Sequence, residues 1–543
     1  MTKEPISFIE QDIIESKARG QKILTRFPPE PNGYMHIGHA KAFGLDYFLA
    51  HRHGGETNMR FDDTNPAKES MEFVDAMLRD IKWLGMDWAR VLFASDYYEQ
   101  LYDMANVLIR KGLAYVDDQS AEQISATRGS FDKPGTESPH RNRPTEESLK
   151  LFKEMRDGKH ADGALTLRAK IDMASPNMNM RDPVMYRIAR VPHYRTGDAW
   201  CIYPMYDFAH PLSDAIEHIS HSICSFEFED HRPLYDWFVK HGWTENEEES
   251  GAKGHKLPPR QFEFSRLNIE RTVMSKRWLK RFVDENLVDG WDDPRMPTIS
   301  GMRRKGYPPK AIMDFVMSTG VGKTPMTVPY SAVEFYIRSE LDPVVTRASV
   351  VFNPIKVVIT NWKGDVEELE IANNPHDEGA GKHKIHFGKE IYIDGEDFSD
   401  NPPPKYKRLT VGGTVRLRGA YIIKCIKKHK DYLECEYIEN SRSGADTSGV
   451  KPAGVIHFVE ATNAVKATVH ELFPLLKEGI ELTDENLNPT TKVTHNVLCE
   501  SFLKDVKPGD KFQFVRKGFY CCDIESTNDN LIFNKTIGLK EGF

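Results

Sequence analysis

The alternation of apolar and polar positions changes character along the chain. In roughly the first hundred residues short apolar runs alternate with longer amphipathic ones. Residues 22–27 (KILTRF) read as a strand, PPEPNGYM as a stiff Pro/Gly loop, and 37–52 as a helix stopped by Gly54 and Gly55. Residues 58–61 form a second strand ending at Asp62 and Asp63, and 68–83 a second helix. This rhythm predicts an α/β fold with a parallel, doubly wound sheet, whose ligands sit at the carboxyl ends of the strands. The loop before Ile37 and the turn at Asp62 both fall at those ends.

From 101 to 206 the pattern becomes mixed, with Pro/Gly breaks such as FDKPGTESPHRNRP, and reads as an insertion between two halves of the first domain (1–100 and 207–266). The second half carries strand–helix material at 214–224 and 233–241, then a charged, Gly-containing stretch, 245–258, expected to be a solvated loop. Residues 267–344 read as a mainly helical subdomain. From 345 to 543 short alternating strands with Gly and Pro turns predict two antiparallel β-barrels, the distal one over about 390–465.

Composition narrows the class. A chain of 543 residues with 39% hydrophobic and 28% charged residues is globular, with a prior of roughly three to four domains. Net charge is −8, so any nucleic-acid surface has to be local. Charges interrupt every apolar run well short of the ~18 residues of a membrane span, and the first 20 residues lack the apolar core of a secretory signal. Seven cysteines, at 201, 224, 425, 435, 499, 521 and 522, show neither CxxC nor zinc-ligand spacing. Free thiols in a reducing cytoplasm and no protein-bound metal are the expectation.

Two stretches carry candidate chemistry. In RFPPEPNGYMHIGH (26–39), His36 and His39 lie three apart at a helix start with Gly38 between them. Helix N-terminal amides and imidazoles together suit a polyphosphate, though HxxH alone is equally a surface pair beside a turn. The second stretch, VMSKR (273–277), places Lys276 on a candidate mobile loop about 240 residues later, beyond the inserted module. The ordered pair is far more specific than either part.

With HIGH intact at 36–39 and a degenerate KMSKS at 273–277 (Val273 for its first Lys, Arg277 for its last Ser), the chain resembles the class I aminoacyl-tRNA synthetases. RFDDTNP (60–66), LRAKIDMASP (167–176), YPMYDF (203–208) and WDDPRMPTISG (291–301) are similar to the glutamyl/glutaminyl branch, and the resemblance runs from about residue 20 to the C-terminus. It implies a Rossmann-like catalytic domain, ATP and Mg²⁺ arriving with the nucleotide, and an amino acid joined to tRNA in protein biosynthesis. It places ATP at Pro29, Glu30, Asn32, His36, Gly38, His39, Arg266, Leu267, Met274, Ser275 and Lys276, with His36, His39 and Lys276 as the catalytic groups. The amino acid falls to Arg26, Asp62, Tyr206, Cys224 and Gln261, with Asp62 on its ammonium. Glutamyl relatives typically carry Arg where this chain has Cys224, so a neutral thiol there favours glutamine and tRNA(Gln). A glutamyl member of the branch and a catalytically silent tRNA-binding homologue are the alternatives.

The tRNA surface has its own signal. Residues 402–430 hold nine Lys/Arg and no Asp or Glu. On alternating strands Lys405, Lys407, Arg416 and Arg418 could share a face toward RNA, or could merely guard a sheet edge. The resemblance places anticodon contacts at Arg347, Lys405, Tyr406, Lys407, Arg408, Arg418 and Gln513, although Lys405 stands where a glutamine is usual. It places an acceptor-stem wedge at Phe131 and a stem-reading carboxylate at Asp230, and it implies that bound tRNA precedes amino-acid activation. No heptad pattern appears, and a monomer is expected.

Overall fold

The computed structural model describes residues 7–243 and 258–539, so the charged stretch expected as a solvated loop lies, except for Pro258, outside the described residues. The chain divides into two compact units: Met1–Asn268 with Val316–Thr327, and Ile269–Phe315 with Val328–Phe543.

The first unit is built on parallel strands. Leu24–Phe27 pairs in parallel with Glu56–Phe61, which pairs in parallel with Val91–Phe93. His221–Ser225 pairs in parallel with Arg260–Phe264 and is tied to the first strand where Ser220 N donates to Leu24 O at 2.9 Å. Every residue of Leu24–Phe27 is buried, the mark of a strand covered on both faces. The helix Ile37–Arg52 has the bounds its pattern predicts. Met71–Trp83 starts later than expected, after Ser70, because Pro66–Glu69 is a turn in which the Glu69 carboxyl group accepts from Asn65 N at 3.0 Å.

Two elements depart from the expectation. Phe8–Ala18 is a helix that the sparse apolar positions did not announce; Ser7 caps it, and Ile9 and Ile13 pack with Leu45, Leu49 and Ile23. Tyr206–Ile216 is also a helix, with Pro211 inside it, so the stretch 214–224, read as strand-like, is the end of a helix followed by the strand His221–Ser225. Between the two halves, Ala114–Asp117, Thr166–Ala169, Val184–Ile188 and Ile202–Pro204 form an antiparallel sheet under the helices Tyr98–Arg110 and Thr145–Arg156. Its core includes Leu101, Leu108, Phe152, Leu167 and Tyr186.

The second unit joins helices, among them Lys276–Asp284, Ile299–Lys305 and Tyr330–Leu341, to two seven-stranded sheets. One core gathers Ala348, Val469, Phe514, Tyr520 and Phe533; the other gathers Val357, Ile391, Leu417, Ile423 and Phe458. The strands are not purely antiparallel as expected. Thr346–Ala348 pairs in parallel with Lys511–Phe514, Pro354–Ile359 with Leu433–Tyr437, and Val465–Leu472 with Leu531–Ile537. Strands distant in sequence thereby cover edges that hairpins alone would leave open. The second sheet, expected over about 390–465, also takes in Pro354–Ile359.

The expected alternation across Lys405, Lys407, Arg416 and Arg418 is corrected. Lys405 and Lys407 lie in the loop before Thr414–Leu417, Lys405 at φ 63°, so the four do not share a strand face. The Pro402–Pro404 run and Gly412–Gly413 give that segment its loop geometry.

Candidate active site and RNA interface

At the start of Ile37–Arg52 the two histidines cap the helix with their own rings. His36 Nδ1 accepts from Gly38 N at 3.1 Å, and His39 Nδ1 accepts from His36 N at 3.1 Å. The ring centroids are 3.9 Å apart. A neutral imidazole that accepts at Nδ1 carries its proton on Nε2. Both rings are therefore set as Nε2–H donors, while two amides expected to meet phosphate are already bonded. The preceding loop is pinned to the next strand, with Asp62 N donating to Pro29 O at 3.1 Å and Ser70 N to Pro31 O at 3.2 Å.

Beneath Asp62 lies a buried network of charges. Arg26 is 0% exposed; its Nε and Nη2 donate to the two Asp214 oxygens at 2.9 Å, and its Nη1 to Ile223 O at 3.1 Å. Arg60 donates to Asp214 at 2.7 Å and to Asp62 at 2.8 Å. His210 completes the set, its Nε2 2.9 Å from Arg26 Nη2 and its Nδ1 3.2 Å from Asp62 Oδ2. With Nε2 accepting and Nδ1–H donating, one neutral tautomer serves these two contacts, while Arg60 Nη2 lies 3.1 Å from the same Nδ1. Burial drives the His210 pKa down against the pull of Asp214, which keeps that neutral form. For Asp62, burial works upward but Arg60 and His210 outweigh it, so its carboxyl sits below its ordinary range and stays charged. Arg26, expected to line the amino-acid pocket, instead has its donors committed inside the protein and acts on Asp62 through Asp214 and His210.

Tyr206, Cys224 and Gln261 gather on the same side. The Tyr206 ring stacks on His210 with centroids 4.8 Å apart, and its hydroxyl pKa is pushed well up by burial, then by Asp62 and Cys224. The Cys224 thiol contacts Phe262 O at 3.6 Å, and burial keeps it protonated. Gln261 donates to Phe228 O at 2.9 Å and to Glu263 at 3.1 Å, which fixes its amide flip. The neighbouring Asp63 does not bind outward; it accepts from Ser95 N at 2.8 Å and Ser95 Oγ at 2.7 Å, and burial raises its pKa to about 7.

Arg266 is exposed and Leu267 buried at the end of Arg260–Phe264. Met274, Ser275 and Lys276 belong to the second unit, where Ser275 precedes Lys276–Asp284 and Val273 packs with Leu475 and Leu476. Among the described residues no group of three or more His, Cys, Asp or Glu side chains could hold a metal ion.

The inserted module presents Phe131 at 88% exposure on a tight loop. The buried Arg181 holds that loop from below, donating from Nη1 to Arg128 O, Ser130 O and Lys133 O at 2.9 Å each. Asp230 is exposed, and its carbonyl accepts from Asn177 at 2.7 Å.

Between the barrels a cavity of about 430 Å³ is lined by Arg347, Arg418 and Gln513, together with Asp342, His376 and Arg516. Arg347 is anchored on Asp342 Oδ1 at 2.7 Å and on Val345 O at 2.8 Å. Arg418 Nη1 is buried with no hydrogen-bond partner and lies 4.0 Å from Glu500. A buried, unmatched donor is costly, which marks a place for an acceptor. Lys405, Tyr406, Lys407 and Arg408 do not line this cavity. Their loop is fastened by Tyr406 Oη to Glu396 O at 3.1 Å and by Arg408 to Asp397 at 3.0 Å.

Three family matches cover this arrangement. The family described as tRNA synthetases class I (E and Q), catalytic domain, matches residues 22–343. The chain belongs to that family. Two matches to class I (E and Q) anti-codon binding domains follow, at 345–438 and 455–523. A Clostridium perfringens protein named glutamine–tRNA ligase is 50% identical over 98% of this chain and 97% of its own length. One of the same name from Clostridium kluyveri is 48% identical over 99% and 98%.

Within this class I synthetase the sequence did not disclose Arg60, His210, Asp214 or Glu263 as parts of the site. Each is an ordinary polar residue locally; only the fold carries Asp214 to Arg26, 188 residues away in sequence. Arg60 stands in the quoted RFDDTNP stretch, and its place beside Asp62 was the one available signal.

Proposed function

We propose that the chain is a glutamine–tRNA ligase, activating glutamine with ATP and transferring it to the 2′-hydroxyl of the terminal adenosine of tRNA(Gln). The observation that carries the reading is the 50% identity, over 98% of the chain, to a protein of that name. The geometry supports it. In the first step the glutamine carboxylate attacks the α-phosphate and pyrophosphate leaves. The nucleophile is already an anion, so the chain has charge to neutralise and groups to align. The Nε2–H groups of His36 and His39 suit that task, and the family resemblance adds Lys276 as a cation and Mg²⁺ accompanying the nucleotide. Each such donor is worth about 2–4 kcal/mol in the transition state.

Asp62, held charged by Arg60 and His210, takes the α-ammonium. Beside it Tyr206, Gln261 and the neutral Cys224 receive the side-chain amide. Glutamate is rejected because the Arg26 guanidinium is already matched by Asp214, leaving the glutamate carboxylate uncompensated. Phe131 and Asp230 meet the acceptor stem, and the Arg347–Arg418–Gln513 cavity takes an anticodon base. No helix among the described residues is long and apolar enough to cross a membrane; a cytoplasmic monomer fits the reading. The test is tRNA charging with radiolabelled glutamine and glutamate. Glutamine charging at least a thousandfold more efficient supports the reading; equal charging, or none, overturns it.

A further inference from the structure

Lys41 lies inside the helix that begins at the two histidines, and it is 2% exposed. Buried lysines are rare and are ordinarily paired with a carboxylate. Among the described residues Lys41 has none. Its Nζ points at the main-chain carbonyl of Ser265, 3.4 Å away, and sits 5.8 Å from the centre of the Phe264 ring. Burial lowers its pKa to about 8. A methionine of similar volume would fill the same space without the desolvation cost, so packing does not account for an ammonium here.

The place it grips is informative. Ser265 follows the strand Arg260–Phe264 and directly precedes Arg266 and Leu267. Its N–H is also held, donating to Gly322 O at 2.6 Å. Lys41 is thus a direct tie between the helix whose first turn carries the imidazoles and the segment carrying Arg266 and Leu267.

We propose that Lys41 is a positioning residue for ATP: it fixes the separation between two groups of residues to which the family resemblance assigns ATP, His36 and His39 at its phosphates and, as part of this proposal, Arg266 and Leu267 at its adenosine end. The proposal rests on the ligase reading above. A tie of this kind matters only to a ligand that spans both ends. Fragments that occupy one end alone do not feel it.

The experiment is glutamine-dependent ATP–pyrophosphate exchange, with tRNA(Gln) present, on the full chain and on Lys41→Met. The expected result is an ATP KM raised about five- to tenfold, the scale of one lost hydrogen bond, with the glutamine KM within about twofold. Inhibition constants for adenosine and for tripolyphosphate, each binding one end, are expected to stay within about twofold. An unchanged ATP KM overturns the proposal, as does a parallel loss of affinity for ATP, adenosine, tripolyphosphate and glutamine, which would mark Lys41 as structural. If Lys41→Met does not fold, Lys41→Gln is held to the same criteria; if neither folds, Lys41 is structural and the proposal fails. Absence of exchange in the unmutated chain would instead overturn the ligase reading.

Discussion

Asp214→Asn is the sharpest test of the buried network. The substitution keeps shape and removes one negative charge from a cluster in which Arg26 donates twice and Arg60 once to that carboxylate and Tyr235 adds a fourth bond at 2.9 Å. Asp62 then shares two guanidiniums with Glu217, whose Oε1 lies 3.4 Å from Arg60 Nη1. The other nearby acids are poor substitutes: burial raises Asp46 well above the ordinary range and raises Glu217 as well. Breaking a buried ion pair by removing one partner costs about 3–5 kcal/mol. At 1.4 kcal/mol per decade, opening of the first unit becomes roughly a hundred- to a few-thousandfold more frequent. Native-state proteolysis of the full chain measures this, because cleavage follows the population of the opened form when reclosing is fast. The charge argument adds a second requirement. Arg26→Met in the Asp214→Asn background removes the stranded guanidinium and is expected to recover at least about half of the loss, although Arg26→Met alone is destabilising. A single-mutant effect below about tenfold would refute the claim that the network is held by charge matching. Failure of the double mutant to recover would refute it too.

Three further outcomes follow from the same geometry. Cys224→Arg places an unmatched cation where the thiol is neutral, and charging with both amino acids should show glutamine selection falling and glutamate use rising; unchanged discrimination removes Cys224 from the account. Arg418→Met removes the buried, unmatched donor, and filter binding should show tRNA affinity reduced by about 1.5–3 kcal/mol, roughly ten- to a hundredfold; an equal loss of stability without loss of binding would make Arg418 a core residue. Glu69 is raised to about 9, chiefly by burial and then by Asp63, so the folded state holds a proton that the unfolded chain releases near pH 4.5. Its contribution is complete below that pH and is lost as pH climbs toward 9. Urea midpoints of the unmutated chain should therefore fall more steeply than those of Glu69→Gln between pH 6 and 9, and the reverse order would contradict the assignment.

What the sequence disclosed follows from how local each signal is. The helix Ile37–Arg52 and the strand Glu56–Phe61 were legible because periodicity and a Gly stop agree within one short window. Phe8–Ala18 was hidden because its buried side is mostly the pair Ile9 and Ile13, too few for a period to stand out. Pro211 disguised Tyr206–Ile216, and the basic run at 402–430 suggested a strand face where Pro and Gly impose a loop. His36 and His39 were found as a motif, yet their Nε2–H tautomers follow from the backbone amides that donate to their Nδ1 atoms, which no spacing reveals.

The same distinction explains how a chain this polar inside can select a neutral side chain. Arg26 and Arg60 are answered by Asp214 and Asp62, while His210 is held neutral and Cys224 keeps its proton. In the proposed reading the site thereby offers one charge of defined direction, the Asp62 carboxylate, to an ammonium, and keeps no unmatched cation for a side-chain carboxylate. Selectivity of this kind belongs to the closed sum of the network, and single positions report it only through their effect on that sum. For this reason a substitution at Asp214, which the proposed pocket keeps out of contact with substrate, is expected to disturb glutamine recognition as well as stability.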